Sequence, residues 1–251
     1  MAKWISHRGE SADAPENTLP AFKLALERNT DGFETDIHLT ADNVLICCHD
    51  ANTFRTCQGV SMIIEQSKWE DLKQLDASYN RTGFENVSLP LFADSLKYLG
   101  KDKLYYVEIK ENDLRVMDAM IREVDAAGIE RKQIVMISFH ADVVRAYKEK
   151  YPKMEALFLY YIGKDGEKTL AEKTDDLISR TKELKADGVD VGMAQDEDFN
   201  LFVKKVHDAG LKCAVWTVDQ PVVAKRWVEA GVDAVTSNCA AKAQKWVETH
   251  G

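Results

Sequence analysis

What most limits the folds open to this chain is a strict alternation of short β-rich runs with amphipathic helical stretches. From residue 100 onward the runs are Leu104–Val107, Ile134–Ile137, Ala156–Leu159, Val189–Val191, Cys213–Trp216 and Ala234–Thr236. Between them, apolar residues recur at three- and four-residue spacing, as in Val116, Met120, Ile121 and Val124 or Phe199, Phe202, Val203 and Val206, the period of a helix with one buried face. Upstream, Lys3–Ser6 and Gly32–Ile37 flank a helix with Leu19, Phe22, Ala25 and Leu26 on one side. Eight strands with helical crossovers in 251 residues predict an α/β fold, a closed (β/α)8 TIM barrel, rather than an open doubly wound sheet. Gly128, Gly210 and Gly231 stand where helices must stop before the next strand.

One segment breaks the pattern. Val44–Cys48 follows the second strand after only Ala41, Asp42 and Asn43, too few residues for a parallel crossover, so it must return antiparallel. Such a hairpin sets His49 opposite the stretch from Glu34 to Asp36. Residues 52–90, polar and with a short helix expected over Ser67–Leu72, read as a small inserted excursion after the hairpin within a single barrel domain spanning 1–251.

Charge narrows the partners. A formal net charge of −9 argues against nucleic acid or an anionic membrane surface, both of which select excess Lys and Arg. No apolar run approaches the ~18 residues of a membrane span, so no stable membrane insertion is expected. The expected compartment is the cytoplasm, or the periplasm or exterior if a signal peptide has been trimmed. Cys47, Cys48, Cys57, Cys213 and Cys239 form no C-x-x-C pair and read as reduced core or loop residues.

A barrel of this kind places its active site at the C-terminal strand ends. Those ends are polar here: His7-Arg8-Gly9, then Glu34 and Asp36, His49-Asp50, Glu108 and Lys110, and Trp216. A spacing of two puts Glu34 and Asp36 on one side of the wall, and likewise Glu108 and Lys110. Three confined carboxylates repel one another unless a cation lies among them, and an all-oxygen ligand set favours Mg or Ca. The alternative is a structural ion-pair network with Arg8 and Lys110. His7 and His49 suit acid–base work, and Arg8 and Lys110 suit phosphate oxygens. His38, His140, His207 and His250 read as structural. Trp216 is divided evenly between core packing and a ligand contact; Ser138-Phe139, Tyr160 and Tyr161 are further pocket candidates.

The ordered set His7-Arg8-Gly9, Ala14-Pro15-Glu16-Asn17-Thr18, Glu34-Thr35-Asp36-Ile37 with Thr40 and Asp42, His49-Asp50 with Arg55-Thr56, and Val107-Glu108-Ile109-Lys110 resembles the glycerophosphodiester phosphodiesterases from Ser6 through Trp216-Thr217-Val218. The resemblance implies a barrel holding one divalent cation, Mg or Ca, on Glu34, Asp36 and Glu108. It implies acid–base roles for His7 and His49, phosphate contacts from Arg8 and Lys110, and Trp216 against the glycerol of a small-molecule glycerophosphodiester. The implied products are glycerol 3-phosphate and an alcohol, through water attack or a cyclic phosphate. Two departures stand out. Cys47-Cys48 replaces aliphatic residues, and Ser237-Asn238 replaces Thr-Asp, which puts one contact at the pocket rim in question. Two other readings are a phospholipase D-like cleavage of lysophospholipids or sphingomyelin on the same fold, and a non-catalytic diester-binding barrel.

Overall fold

The computed structural model describes residues 1–79, 81–163, 168–194 and 197–250; residue 80, inside the expected excursion, is outside the described set. Among the described residues nine strands run in chain order as β1 Lys3–Ser6, β2 Gly32–Leu39, β3 Leu45–Cys47, β4 Leu104–Ile109, β5 Ile134–Ser138, β6 Glu155–Ile162, β7 Gly188–Met193, β8 Lys212–Val215 and β9 Ala234–Ser237. The helices are α1 Leu19–Glu27, α2 Trp69–Leu72, α3 Phe92–Ser95, α4 Leu114–Ala126, α5 Ala141–Lys150, α6 Leu170–Glu183, α7 Phe199–Asp208, α8 Pro221–Glu229 and α9 Ala240–His250.

Eight of the strands close a parallel barrel in the order β1-β2-β4-β5-β6-β7-β8-β9, and β9 pairs back onto β1. The ninth, β3, is the expected antiparallel return: Ile37 faces Cys47 and Leu39 faces Leu45, and the Cys48 N–H extends the pairing to the Asp36 carbonyl at 3.0 Å. It is shorter than the Val44–Cys48 run, and His49 lies just beyond it. The helix expected within Ser67–Leu72 is a single turn, α2. Gly128, Gly210 and Gly231 all take positive φ directly after helices, as stops require.

Alternation along the strands divides the apolar residues into two layers. Outward-facing Phe33, Ile37, Tyr105, Val107, Met136, Phe158, Val189, Val191 and Val235 pack under the helices in the main core. A smaller inner cluster of Ile5, Tyr106, Val135, Ile137, Leu157, Leu159, Ala214 and Ala234 fills the barrel. A third cluster, including Ile46, Cys48, Cys57, Ile64, Leu72 and Leu89, gives the excursion its own anchoring against β3. All five cysteines are free thiols.

Candidate active site

The register of the barrel brings the polar strand ends together. Glu34 on β2 is level with Tyr106 on β4, and Asp36 is level with Glu108. All three carboxylates are buried, and one oxygen from each falls in a group spanning no more than 4.8 Å. Burial and the charge of Asp36 push Glu34 well above the usual carboxylate range, and the same two causes raise Glu108. Asp36 goes the other way. Against the cost of burial, Arg8 and Lys110 hold it below the normal range.

Both cations therefore face acids in this structure. Lys110 Nζ is 2.8 Å from Glu108 Oε1 and 3.3 Å from Asp36 Oδ1, while Arg8 Nε is 3.2 Å from Asp36 Oδ2. The last two contacts are ion pairs without hydrogen-bond geometry, so Asp36 Oδ1 remains a buried oxygen with no hydrogen-bond donor. Two cations against three tightly grouped, buried carboxylates leave the cluster short of positive charge. Such a donor set, all oxygen and desolvated, fits a hard divalent cation.

The loop after β1 wraps over this cluster. Arg8 adopts φ 54°, which aims its backbone N–H at Glu34 Oε2, 2.9 Å away. Asn17, also at positive φ, donates from Nδ2 to Asp36 Oδ2 at 2.8 Å and accepts from Thr35 Oγ1 at 2.7 Å. Glu16 links the loop to the excursion: it receives Arg8 Nη1 at 2.8 Å and Arg55 at 2.7 and 2.8 Å.

Each histidine is backed by a different acceptor. The Nδ1 of His7 lies 2.7 Å from Asn238 Oδ1. Asn238 Nδ2 donates to Asp219 Oδ2 at 2.7 Å and Ser11 Oγ donates to Asn238 Oδ1 at 2.7 Å, so Oδ1 is the acceptor and His7 Nδ1 carries the proton. Its Nε2 is left as a lone-pair nitrogen 4.0 Å from Glu34 Oε2. Burial and Arg8 lower the His7 imidazole to about 4. His49 Nδ1 bonds instead to the Asp50 carboxylate at 2.6 Å, and Arg55 Nε fixes Asp50 from behind at 2.7 Å. His49 is lowered by burial, with Asp36 pulling the other way.

His7, Arg8, Glu34, His49, Glu108, Lys110 and Trp216 all line one cavity of about 680 Å³ including its mouth, with Phe139 on the rim. Asp36 lies just behind this wall. The Phe139 ring meets Trp216 edge to face at 5.6 Å. The other histidines lie elsewhere: His38 is buried against Glu111, His140 bonds the Lys110 carbonyl, and His207 pairs with Asp233. Glu16, Asn17, Asp50, Asn238 and Asp219 were not identified as functional from sequence. Their roles depend on loop conformations that periodicity does not encode, although Glu16, Asn17, Asp50 and Asn238 stand in segments the sequence comparison had already marked out.

Comparison with known proteins converges on one family. A glycerophosphodiester phosphodiesterase of Caldanaerobacter subterraneus is 28% identical over 242 residues, 93% of each chain. One from Bacillus altitudinis is 31% identical over 166 residues, covering 63% of this chain and 66% of its own. Among solved structures, a glycerophosphodiester phosphodiesterase from Parabacteroides distasonis superposes with a TM-score of 0.75 at 27% identity, over 99% of this chain and 98% of that one. An Oleispira antarctica phosphodiesterase, solved with the product sn-glycerol-3-phosphate, shares the fold with a TM-score of 0.84 at 22% identity, over 99% and 97%. The family model itself matches residues 7–242, nearly the whole barrel and its site, and the chain belongs to the glycerophosphoryl diester phosphodiesterase family.

Proposed function

We propose that this protein hydrolyses small glycerophosphodiesters to glycerol 3-phosphate and an alcohol, with Glu34, Asp36 and Glu108 holding one Mg or Ca ion. The observation that carries the reading is the meeting, at the wall of one cavity, of a buried carboxylate triad, two of whose members line it, with two histidines backed by different acceptors. The Oleispira enzyme's bound product supports glycerol 3-phosphate as the leaving product here. When bound, the cation would neutralise phosphoryl oxygens and stabilise the charge that develops on them.

The side chains do the rest. Arg8 and Lys110 reach the phosphodiester oxygens and share the growing negative charge. His7, neutral and with Nε2 free, takes the proton of the attacking oxygen. His49, whose Nδ1–H is held by an anionic carboxylate, is the imidazole better able to hold a second proton, and it donates to the departing alcohol. Trp216 packs on the glycerol carbons. Attack by water gives glycerol 3-phosphate directly, whereas attack by the glycerol 2-hydroxyl gives a cyclic phosphate first. Single-turnover phosphorus-31 NMR separates the two, because only the second route shows a transient cyclic species.

Exposed Phe139, Tyr160 and Tyr161 at the ends of β5 and β6 favour a second reading, phospholipase D-like cleavage of lysophospholipids, in which those rings would carry an acyl chain. The deciding experiment is turnover of glycerophosphocholine, glycerophosphoethanolamine, glycerophosphoglycerol, glycerophosphoinositol and lysophosphatidylcholine, each with Mg, Ca and chelator. The glycerophosphodiester reading predicts metal-dependent cleavage of the deacylated diesters well above that of the lysolipid. The reverse order overturns it.

A further inference from the structure

The cavity has a second polar feature that acid–base chemistry leaves unused. Opposite the charged wall stand Ile137, Leu159 and Trp216, with Asp190 and Thr236 among them. Asp190 is 1% exposed and Thr236 2%. Asp190 Oδ1 and Thr236 Oγ1 are both buried without a hydrogen-bond partner. Leaving such groups bare costs about 1–3 kcal/mol each, and an aliphatic pair would fill the same wall without that cost.

Strand register explains why the two are neighbours. Asp190 points into the barrel from β7, level with Leu159 on β6 and Ala214 on β8, neither of which offers it a polar group. Ala214 is level with Ala234 on β9, and Thr236 is the next inward residue on that strand. The carboxyl and the hydroxyl are thus diagonal across the smallest side chains in the wall. Trp216 roofs them: its Nε1 donates to the Asp190 carbonyl at 3.1 Å. Gly192 lets it lie there, since a Cβ at that position would be 3.3 Å from the indole and 2.9 Å from the Tyr161 ring.

The chemistry of this corner fits an uncharged polyol. Burial alone pushes the Asp190 carboxyl up to about 7, and no charged neighbour acts on it. A second phosphate would be repelled by the carboxyl, and a cationic head group would demand that it ionise in a closed, apolar recess. A hydroxyl asks for neither. The indole face beside the pair would cover the carbons that carry it.

We infer that Asp190 and Thr236 bind the terminal hydroxyl of the substrate's glycerol unit and so determine its specificity for glycerol diesters. The assignment rests on the glycerophosphodiesterase reading and adds to it the residues that recognise the polyol.

The test compares kcat/KM for glycerophosphocholine with that for its 1-deoxy analogue, the diester in which phosphocholine sits on the primary oxygen of propane-1,2-diol, which keeps the hydroxyl beside the phosphoester carbon. The wild-type protein is expected to prefer the glycerol diester by about 10–100-fold. In Thr236→Val and Asp190→Leu that ratio is expected to fall to within about threefold, whatever the absolute rates. A wild-type ratio already within about threefold overturns the assignment, and this arm needs no variant to fold. Active variants that keep the wild-type ratio overturn it as well, leaving the two side chains a structural role. Bis(p-nitrophenyl) phosphate separates the two levels of inference. Wild-type protein that cleaves it but neither choline diester overturns the glycerophosphodiesterase reading, and this assignment falls with it.

Discussion

At the scale of single residues, the two histidines differ less in position than in what stands behind them. An amide acceptor behind His7 adds no charge, whereas the carboxylate behind His49 favours its protonated form. Asn238→Asp would give His7 the same kind of partner. Its proton affinity should then rise, and because a base must be unprotonated, the acid limb of the kcat/KM profile should move to higher pH by about one unit; an unmoved limb would remove His7 from the role of base. If, as proposed, acid and base act in one step, His7→Ala and His49→Ala should each cost about 10²–10⁴-fold in kcat, and the double variant little more than either alone. Additive losses in steady-state assays would contradict a concerted pair. Sequence reading located both histidines and all three carboxylates because they lie on or directly after strands, where a period of two fixes their side. It assigned no role to Asn238, which had been noted only as a departure at the pocket rim and which the structure sets behind His7. It also passed over Asp190, one polar residue inside an apolar strand of a barrel whose interior layer cannot be read without the register.

Among the elements, β2 carries the greatest burden, since it supplies Glu34 and Asp36, pairs with three other strands and begins the hairpin that delivers His49. Its first residue, Gly32, is pressed against β4: a Cβ there would sit 2.1 Å from the Leu104 carbonyl oxygen. Backbone cannot yield as a side-chain tip can, so Gly32→Ala must pry β2 from β4 at the level just below the carboxylates. The expected loss is about 2–3 kcal/mol in chemical unfolding, together with weaker binding of the cation in calorimetry. Unchanged stability would mean that the two strands separate more easily than their register implies. The hairpin itself was legible from a three-residue gap, which permits no parallel connection. The loop holding Arg8 and Asn17 was not, because two non-glycine residues at positive φ there have no signature in hydrophobic periodicity.

Across the whole molecule, the proposed cation site would join stability to pH. Burial and mutual repulsion raise Glu34, and they push Glu108 up to about 8 from an ordinary 4.5. A carboxyl with a raised folded-state pKa holds its proton longer in the folded protein than in the unfolded chain. The stability it contributes is therefore complete below about 4.5 and is lost as pH rises through its folded value. Asp36 is depressed and has the opposite sign: its contribution is present above the ordinary Asp value and disappears only in stronger acid. Below about pH 6.5 the depressed histidines His7 and His49 oppose the raised pair, since their stabilisation grows as the unfolded imidazoles lose protons. From there to about pH 8 the raised pair acts without that opposition, so in chelator the protein should lose stability across the upper part of the window. A divalent cation competes with the same protons and binds only the folded arrangement, so its stabilisation should grow with pH. The expected result is a Tm increase on adding Mg or Ca that is several degrees larger at pH 8 than at pH 5.5. In Glu34→Gln the increase should shrink, and its dependence on pH should flatten, because one of the competing protons is gone. A cation effect equal at both pH values, or equal in Glu34→Gln and wild type, would mean that the ion binds away from the triad.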